Sequence, residues 1–172
     1  MPWNFYVLII LLVFFFSFFS LAPFLPTKTK DLKRISDISW LKPWENFLEV
    51  WCWTAKVSIF VAKNNPENEV IWIEFSPFLY IYSKIKSILL KQKNLKIVYW
   101  NALNLDFWKY DVIYIFGLDD TIKNKILPKI ERETSKNTRL LSYCFNPENE
   151  NFVQIKHKKN NKELAIFEYR KK

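Results

Sequence analysis

The stretch "NFLEVWCWTAKVSIFVAKNNPENEVIWIEF", residues 46–75, decides the fold. "NFLEV" has the apolar, β-branched character of a strand, "TAKVSIFVAKN" is helical in pattern, and "EVIWIEF" is a second strand. A strand, a helix and a strand in about thirty residues make a right-handed crossover between parallel neighbours. The anomaly is tryptophan: Trp51 and Trp53 stand in the first turn, where a tightly bending chain ordinarily carries glycine.

Working outward, the alternation continues. "DLKRISDISWLKPW" (31–44) is a short helical pattern closing on a Pro-containing turn. "SPFLYIYSKIKSILLKQ" (76–92) opens with Ser76 as N-cap and Pro77 at the first helical position. "LKIVYW" and "DVIYIFG" are the third and fourth strands. A helix follows from about Asp120 to Ser135, with a kink expected at Pro128. "TRLLSYCF" is the fifth strand, and "FVQIKHKKNNKELAIFEY" is a hairpin with a polar turn around Lys158–Lys162. Such a chain is α/β: a mainly parallel, Rossmann-like sheet with helices on both faces. Ligands of these sheets bind at the carboxyl ends of the strands, which here means just after Val50, at Glu74, at Asn101 and at Gly117.

Composition sharpens the tryptophan question. The 172 residues contain one glycine, Gly117, and eight tryptophans, where ordinary glycine usage of about 7% gives roughly a dozen. Read as glycine, the tryptophans turn the opening stretch into "FLEVGCGTAKVS" and "VIGIEF", and the preceding turn into "GLKPGENF". A few bacterial lineages read the UGA codon as glycine, whereas common translation tables read it as tryptophan. Most or all of Trp3, Trp40, Trp44, Trp51, Trp53, Trp72, Trp100 and Trp108 are therefore expected to be glycine in the cell. The competing reading is a genuine tryptophan-rich protein whose sheet edges carry indoles.

Residues 1–26 separate by composition. No charge occurs from Phe5 to Leu25, and about 20 apolar residues suffice to cross a bilayer core of about 30 Å. No Lys or Arg precedes the run, whereas Lys28, Lys30, Lys33 and Arg34 follow it, so the expectation is an uncleaved single-pass anchor with the remainder on the cytoplasmic side. The expected organisation is an anchor (1–26), a basic linker with a short helix (27–36) and one domain (37–172). A net charge of +9 suits an anionic lipid surface. The charge is diffuse, without an aromatic–basic motif, which argues against nucleic acid. Cys52 and Cys144 lie far apart in strand-like runs and read as reduced, buried thiols. His157, the only histidine, lies in "KHKKNNK" and reads as a loop residue, so zinc sites and serine triads have little support.

"FLEV(W)C(W)TAK" resembles the E/D-x-G-x-G-x-G motif of class I S-adenosylmethionine-dependent methyltransferases, with "I(W)IEFSP" as their second motif. More narrowly, "APFLPT", "SPFLYIYSKIKS", "LDFWKYDVIYIFGL" and "LLSYCF" are similar to segments of membrane-anchored protein-lysine methyltransferases that modify mitochondrial carrier and ATP synthase c subunits. The resemblance implies S-adenosylmethionine as cofactor, held by Glu49, Trp51, Cys52, Trp53, Thr54, Glu74, Phe75, Asn101, Ala102 and Gly117. It also implies that Glu49 orients the loop or meets the methionine portion. Glu74 lies 25 positions beyond Glu49, close to the roughly 20-residue spacing at which an acidic side chain accepts from ribose hydroxyls. Asn101 stands where the family often has Asp, and Ala55 replaces the third glycine.

Asp119 and Asp120, in "GLDD", are the local carboxylates available to help deprotonate a lysine acceptor; capping of the following helix is their more ordinary role. The D/N-P-P-Y/F loop of amino-methylating nucleic-acid enzymes and the Pro-Cys nucleophile of cytosine carbon methylation are both absent. The expected substrate is a protein at or in the membrane. A lipid or small apolar acceptor, or a non-catalytic binding domain of the same fold, are the alternatives.

Overall fold

The computed structural model describes Trp3, residues 6–8, Leu11, residues 27–51 and residues 54–172. The expected anchor falls largely outside the described residues, and so do Cys52 and Trp53. Among the described residues, no helix is long and apolar enough to cross a membrane.

One sheet of seven strands organises the domain: β1 (Phe47–Val50), β2 (Val70–Glu74), β3 (Leu95–Tyr99), β4 (Val112–Ile115), β5 (Arg139–Tyr143), β6 (Phe152–His157) and β7 (Ile166–Lys171). Their spatial order is β3-β2-β1-β4-β5-β7-β6. The first five run parallel, and β7 is antiparallel to both β5 and β6. Strands covered on both faces need no polar alternation. Accordingly β1, β2, β4 and β5 are buried at every position, whereas the edge strand β3 is not.

Helices α1 (Leu32–Ser39), α2 (Lys56–Asn64) and α3 (Pro77–Leu89) lie on one face, where Leu32, Ile35, Val57 and Val61 join Phe47, Val112 and Tyr114 in one core. The other face carries α4 (Asp119–Thr121), a π-helical turn (Ile122–Ile126) and α5 (Leu127–Glu133), which bury Ile122, Ile126 and Ile130 against Leu48 and Ile113. Pro128, where a kink is expected, follows that π turn directly within one continuous helical run. The Leu127 N–H bonds five residues back to the Ile122 carbonyl, the kind of local adjustment that a residue without an N–H imposes inside a helix. Pro77 does open α3, but Ser76 makes no side-chain cap.

Residues 27–36, expected as a basic linker with a short helix, contain a 3₁₀ turn and the start of α1 and bond to the rest of the domain. Thr27 Oγ1 and Tyr114 Oη are 2.9 Å apart, Tyr143 Oη donates to Asp31 Oδ2 at 2.6 Å, and Arg34 reaches Glu163 at 2.7 Å. The hairpin forms as expected, although His157 belongs to strand β6 rather than a loop and meets Glu168 at 2.9 Å. Burial pushes the Cys144 thiol up to about 11, with Asp31 adding to the effect, which fits an unreactive structural thiol.

Six non-glycine residues among those described hold positive φ: Trp40 (33°), Trp44 (71°), Trp51 (56°), Ala55 (49°), Lys91 (53°) and Cys144 (72°). Side chains with a Cβ disfavour this region by roughly 1–2 kcal/mol per residue. Trp40 follows the last residue of α1, and its N–H bonds back to the Ser36 carbonyl at 3.3 Å. Glycine commonly occupies that helix-ending position. Trp72 differs: it is wholly buried in the middle of β2, and its indole Nε1 has no hydrogen-bond partner among the described residues.

Candidate functional site

The sheet register brings the expected site residues to one edge. Val50 is level with Ile73 and Ile115, and Glu74 is level with Tyr99. The turn after β1, the end of β2 and the start of the loop after β3 therefore lie on adjacent strands. The strand order reverses between β1 and β4, with β2 and β3 on one side and β4 and β5 on the other. That reversal opens a crevice above the carboxyl end of β1.

Glu49 is fully buried in β1, and its Oε2 accepts the Ser58 backbone N–H at 2.6 Å. The carboxylate thus grips the first turn of α2 from beneath the loop, an arrangement that favours negative charge near a helix N-terminus. Above it, Trp51 and Ala55 occupy the first and third glycine positions of the expected motif, and both are in the left-handed conformation. Cys52 and Trp53 lie outside the described residues. The Thr54 hydroxyl is buried without a hydrogen-bond partner among the described residues. Trp51 is itself buried, in the same apolar cluster as Val50 and Ala102.

Glu74 ends β2 in a nearly buried position. Its Oε1 accepts the Phe75 N–H at 2.9 Å and the Ser76 N–H at 2.8 Å. The carboxylate, rather than Ser76, therefore satisfies the backbone ahead of α3. Burial raises its pKa above the usual carboxylate range, opposed by those two backbone donors. The next strand is fastened to it by the Trp100 N–H, which donates to the Glu74 carbonyl at 3.1 Å.

Asn101 initiates a 3₁₀ turn, its Oδ1 accepting the Leu103 N–H at 3.0 Å. One lone pair of the expected adenine acceptor is thereby committed to the backbone. The Ala102 side chain is buried in the core, which leaves its main chain as the part able to face a ligand. Gly117 has an ordinary backbone conformation, and an added Cβ would meet side-chain atoms no nearer than 3.7 Å. Neither φ nor space requires glycine there. Asp119 and Asp120 are exposed in the first turn of α4, behind Leu118 at the N-cap, a position where carboxylates suit the positive end of a helix.

Sequence reasoning missed the aromatic surface beside Glu74. Phe75 stacks on Tyr99 with ring centroids 6.2 Å apart and planes 7° apart, and Tyr80 tilts against Tyr99 at 5.6 Å. The available signal was an aromatic at the ends of two consecutive strands. Two surface depressions, of about 430 Å³ and about 400 Å³, lie elsewhere: one between α1 and the β6–β7 turn, the other at the amino ends of β1, β2 and β3. Among the described residues, no cluster of His, Cys, Asp and Glu could hold a metal ion.

This sheet with its crevice is the fold of S-adenosylmethionine-dependent methyltransferases. An RNA methyltransferase from Salinibacter ruber, in complex with S-adenosyl-L-homocysteine, superposes with a TM-score of 0.72 at 12% identity, covering 85% of this chain and 93% of the other. A precorrin-6y C5,15-methyltransferase from Geobacter metallireducens gives 0.66 at 14% identity, over 90% and 94% of the two chains. Coclaurine N-methyltransferase, bound to N-methylheliamine and S-adenosylhomocysteine, gives 0.57 at 16% identity, over 73% and 40%. At the level of sequence, neither a protein-family profile nor a curated protein matches the chain.

Proposed function

We propose that this protein is an S-adenosylmethionine-dependent methyltransferase, tethered to a membrane by residues 1–26 with its domain on the cytoplasmic side, and that it methylates a protein lysine at or within that membrane. The observation that carries the cofactor is Glu74. Its Oε1 is committed to the backbone, so Oε2 is the oxygen positioned to accept from ribose hydroxyls at the end of β2. The Thr54 hydroxyl, without a partner among the described residues, supplies a polar group in the loop that would run under the cofactor. Asn101 and the Ala102 main chain would border the adenine, with Phe75 alongside.

The bound cofactor supplies a methyl group on a positively charged sulfur. This chain's residues have then to bind it, hold the acceptor in line with that methyl group and leave the acceptor nitrogen unprotonated. Asp119 and Asp120, exposed after β4, would be the carboxylates that take up that proton.

The fit depends on position 51. As tryptophan, its buried indole fills space beneath the loop, and that observation favours the alternative of a non-catalytic binding domain. As glycine, the space opens. The left-handed conformations of Trp40, Trp44 and Trp51, together with the indole nitrogen of Trp72, which has no partner among the described residues, support the reading that UGA-encoded glycines stand at the tryptophan positions. The acceptor assignment rests on the short similarities to membrane-anchored lysine methyltransferases; a lipid or small apolar acceptor remains the second enzymatic reading, because a tether serves it equally.

The test is calorimetric titration of S-adenosylmethionine into the full chain, prepared once as written and once with glycine at all eight tryptophan positions. Binding by the glycine form alone is expected. A folded glycine form that fails to bind reduces the relationship to a shared fold. Methyl transfer from radiolabelled cofactor into membranes, followed by separation of protein from lipid, then identifies the acceptor class.

A further inference from the structure

Helix α3 carries apolar residues on its outer side as well as on its inner one. It packs against β2 and β3, with Ser83 and Ser87 buried beneath it and Leu79 and Tyr80 partly buried against the core. Its outer side carries Phe78, Ile81, Tyr82, Ile85, Ile88 and Leu89, each more than half exposed. The spacings i, i+3, i+4, i+7, i+10 and i+11 place all six on one stripe. A continuous apolar stripe of this kind on a surface marks an interaction site.

Charge says what covers it. At 100° per residue, Lys84 and Lys86 fall on opposite borders of the stripe, and Lys91 and Lys93 follow its carboxyl end. No Asp or Glu occurs from residue 75 to residue 105. Among the described residues, none of these four lysines forms an ion pair. Lysines on both flanks of an apolar face suit a helix lying in a bilayer interface, with stems along the apolar region and ammonium groups among anionic headgroups. Thr27, the residue that follows the apolar run in sequence, lies on the same side of the sheet: it is held by Tyr114, whose core cluster also packs against Leu79 and Tyr80 of α3.

We infer that the outer face of α3 is a membrane-docking surface that lies in the headgroup region of an anionic phospholipid bilayer. The inference deepens the membrane-tethered reading above and rests on it for the nearness of a bilayer. Phe78 lies four residues beyond Glu74, at the amino end of the stripe, so docking brings the candidate cofactor site to the level of the lipid surface.

The test uses the full chain in phosphatidylcholine vesicles, with and without phosphatidylglycerol. Single nitroxide labels are placed at Ile85→Cys, at Lys158→Cys in the distant β6–β7 turn, and at Leu11→Cys, in a Cys52→Ala, Cys144→Ala background. In the anionic vesicles, the ratio of oxygen to nickel-chelate accessibility at Ile85 is expected to exceed that at Lys158 severalfold, and to fall towards it after Lys84→Glu with Lys86→Glu. An Ile85 label as water-exposed as Lys158, while the Leu11 label is in lipid, overturns this inference and leaves the tether standing. Water exposure at both Ile85 and Leu11 overturns both readings, whereas lipid contact at Ile85 alone upholds docking and removes the tether. Shielding of Ile85 that persists without lipid, accompanied by dipolar broadening between chains, assigns the face to a second copy and overturns the inference.

Discussion

Glu49 Oε2 accepts the backbone N–H of Ser58 at 2.6 Å across nine residues of chain. The end of the first strand and the first turn of the helix that follows it are thereby locked together beneath the loop between them. Removing the acceptor with Glu49→Ala leaves a buried amide unpaired, a cost of about 1–3 kcal/mol. Glu49→Gln keeps an acceptor oxygen and is expected to recover most of it. Denaturant melts of the three proteins measure the difference, and cofactor titration is expected to fall in the same order.

Glu74 makes opposite demands on stability and binding as pH changes. Burial raises its folded-state pKa, so between the unfolded value of about 4 and the raised one the native chain holds a proton that the unfolded chain has lost. The resulting stability is present at low pH and is lost as pH rises through that window. Glu74→Gln is expected to flatten this slope in melts taken across the acidic range. Cofactor affinity runs the other way, because ribose hydroxyls bond best to the ionised carboxylate. It should fall as pH drops through the raised pKa, and Glu74→Gln should weaken it about tenfold or more at neutral pH.

Trp40 and Trp44 are exposed and hold φ of 33° and 71°. Replacing either with glycine relieves left-handed strain, and each is expected to stabilise the fold by about 1 kcal/mol. Trp72→Gly separates the two readings of the code. In a chain whose natural residue is tryptophan, losing this buried side chain costs about 3–5 kcal/mol. If glycine is natural, the eight-glycine chain is the one that melts highest. Intact mass of the protein purified from its native cells decides the same question without any variant.

The Tyr143 phenol donates to the buried Asp31 carboxylate. Tyr143→Phe is expected to cost about 1.5–3 kcal/mol, the range for a hydrogen bond to a charged partner. Thermal melts read it, with Tyr82→Phe on the exposed face of α3 as a neutral comparison.

The order of strands and helices was legible because each buried strand is a short, β-branched run and each helix repeats at its own period. Glu74 was legible as the end of the second strand. What its Oε1 would hold was not, since the Phe75 and Ser76 amides become donors only after the chain has turned into α3. The same limit explains Asn101, whose committed lone pair depends on a 3₁₀ turn with no composition signal. The π turn ahead of Pro128 was hidden because the proline marks a break in the helical pattern without saying how the preceding turn absorbs it. Tryptophan at 40, 44 and 51 was read correctly as occupying bends, and the backbone angles supply the physical reason. Trp72, by contrast, lies in the middle of a straight strand.

The bonds from Thr27 to Tyr114 and from Asp31 to Tyr143 leave no slack between residue 26 and the sheet. The segment from Thr27 to Asp31 therefore turns with the sheet as one piece. Whatever direction the chain takes on reaching Thr27 is set by the sheet itself, not by a swivel in front of it.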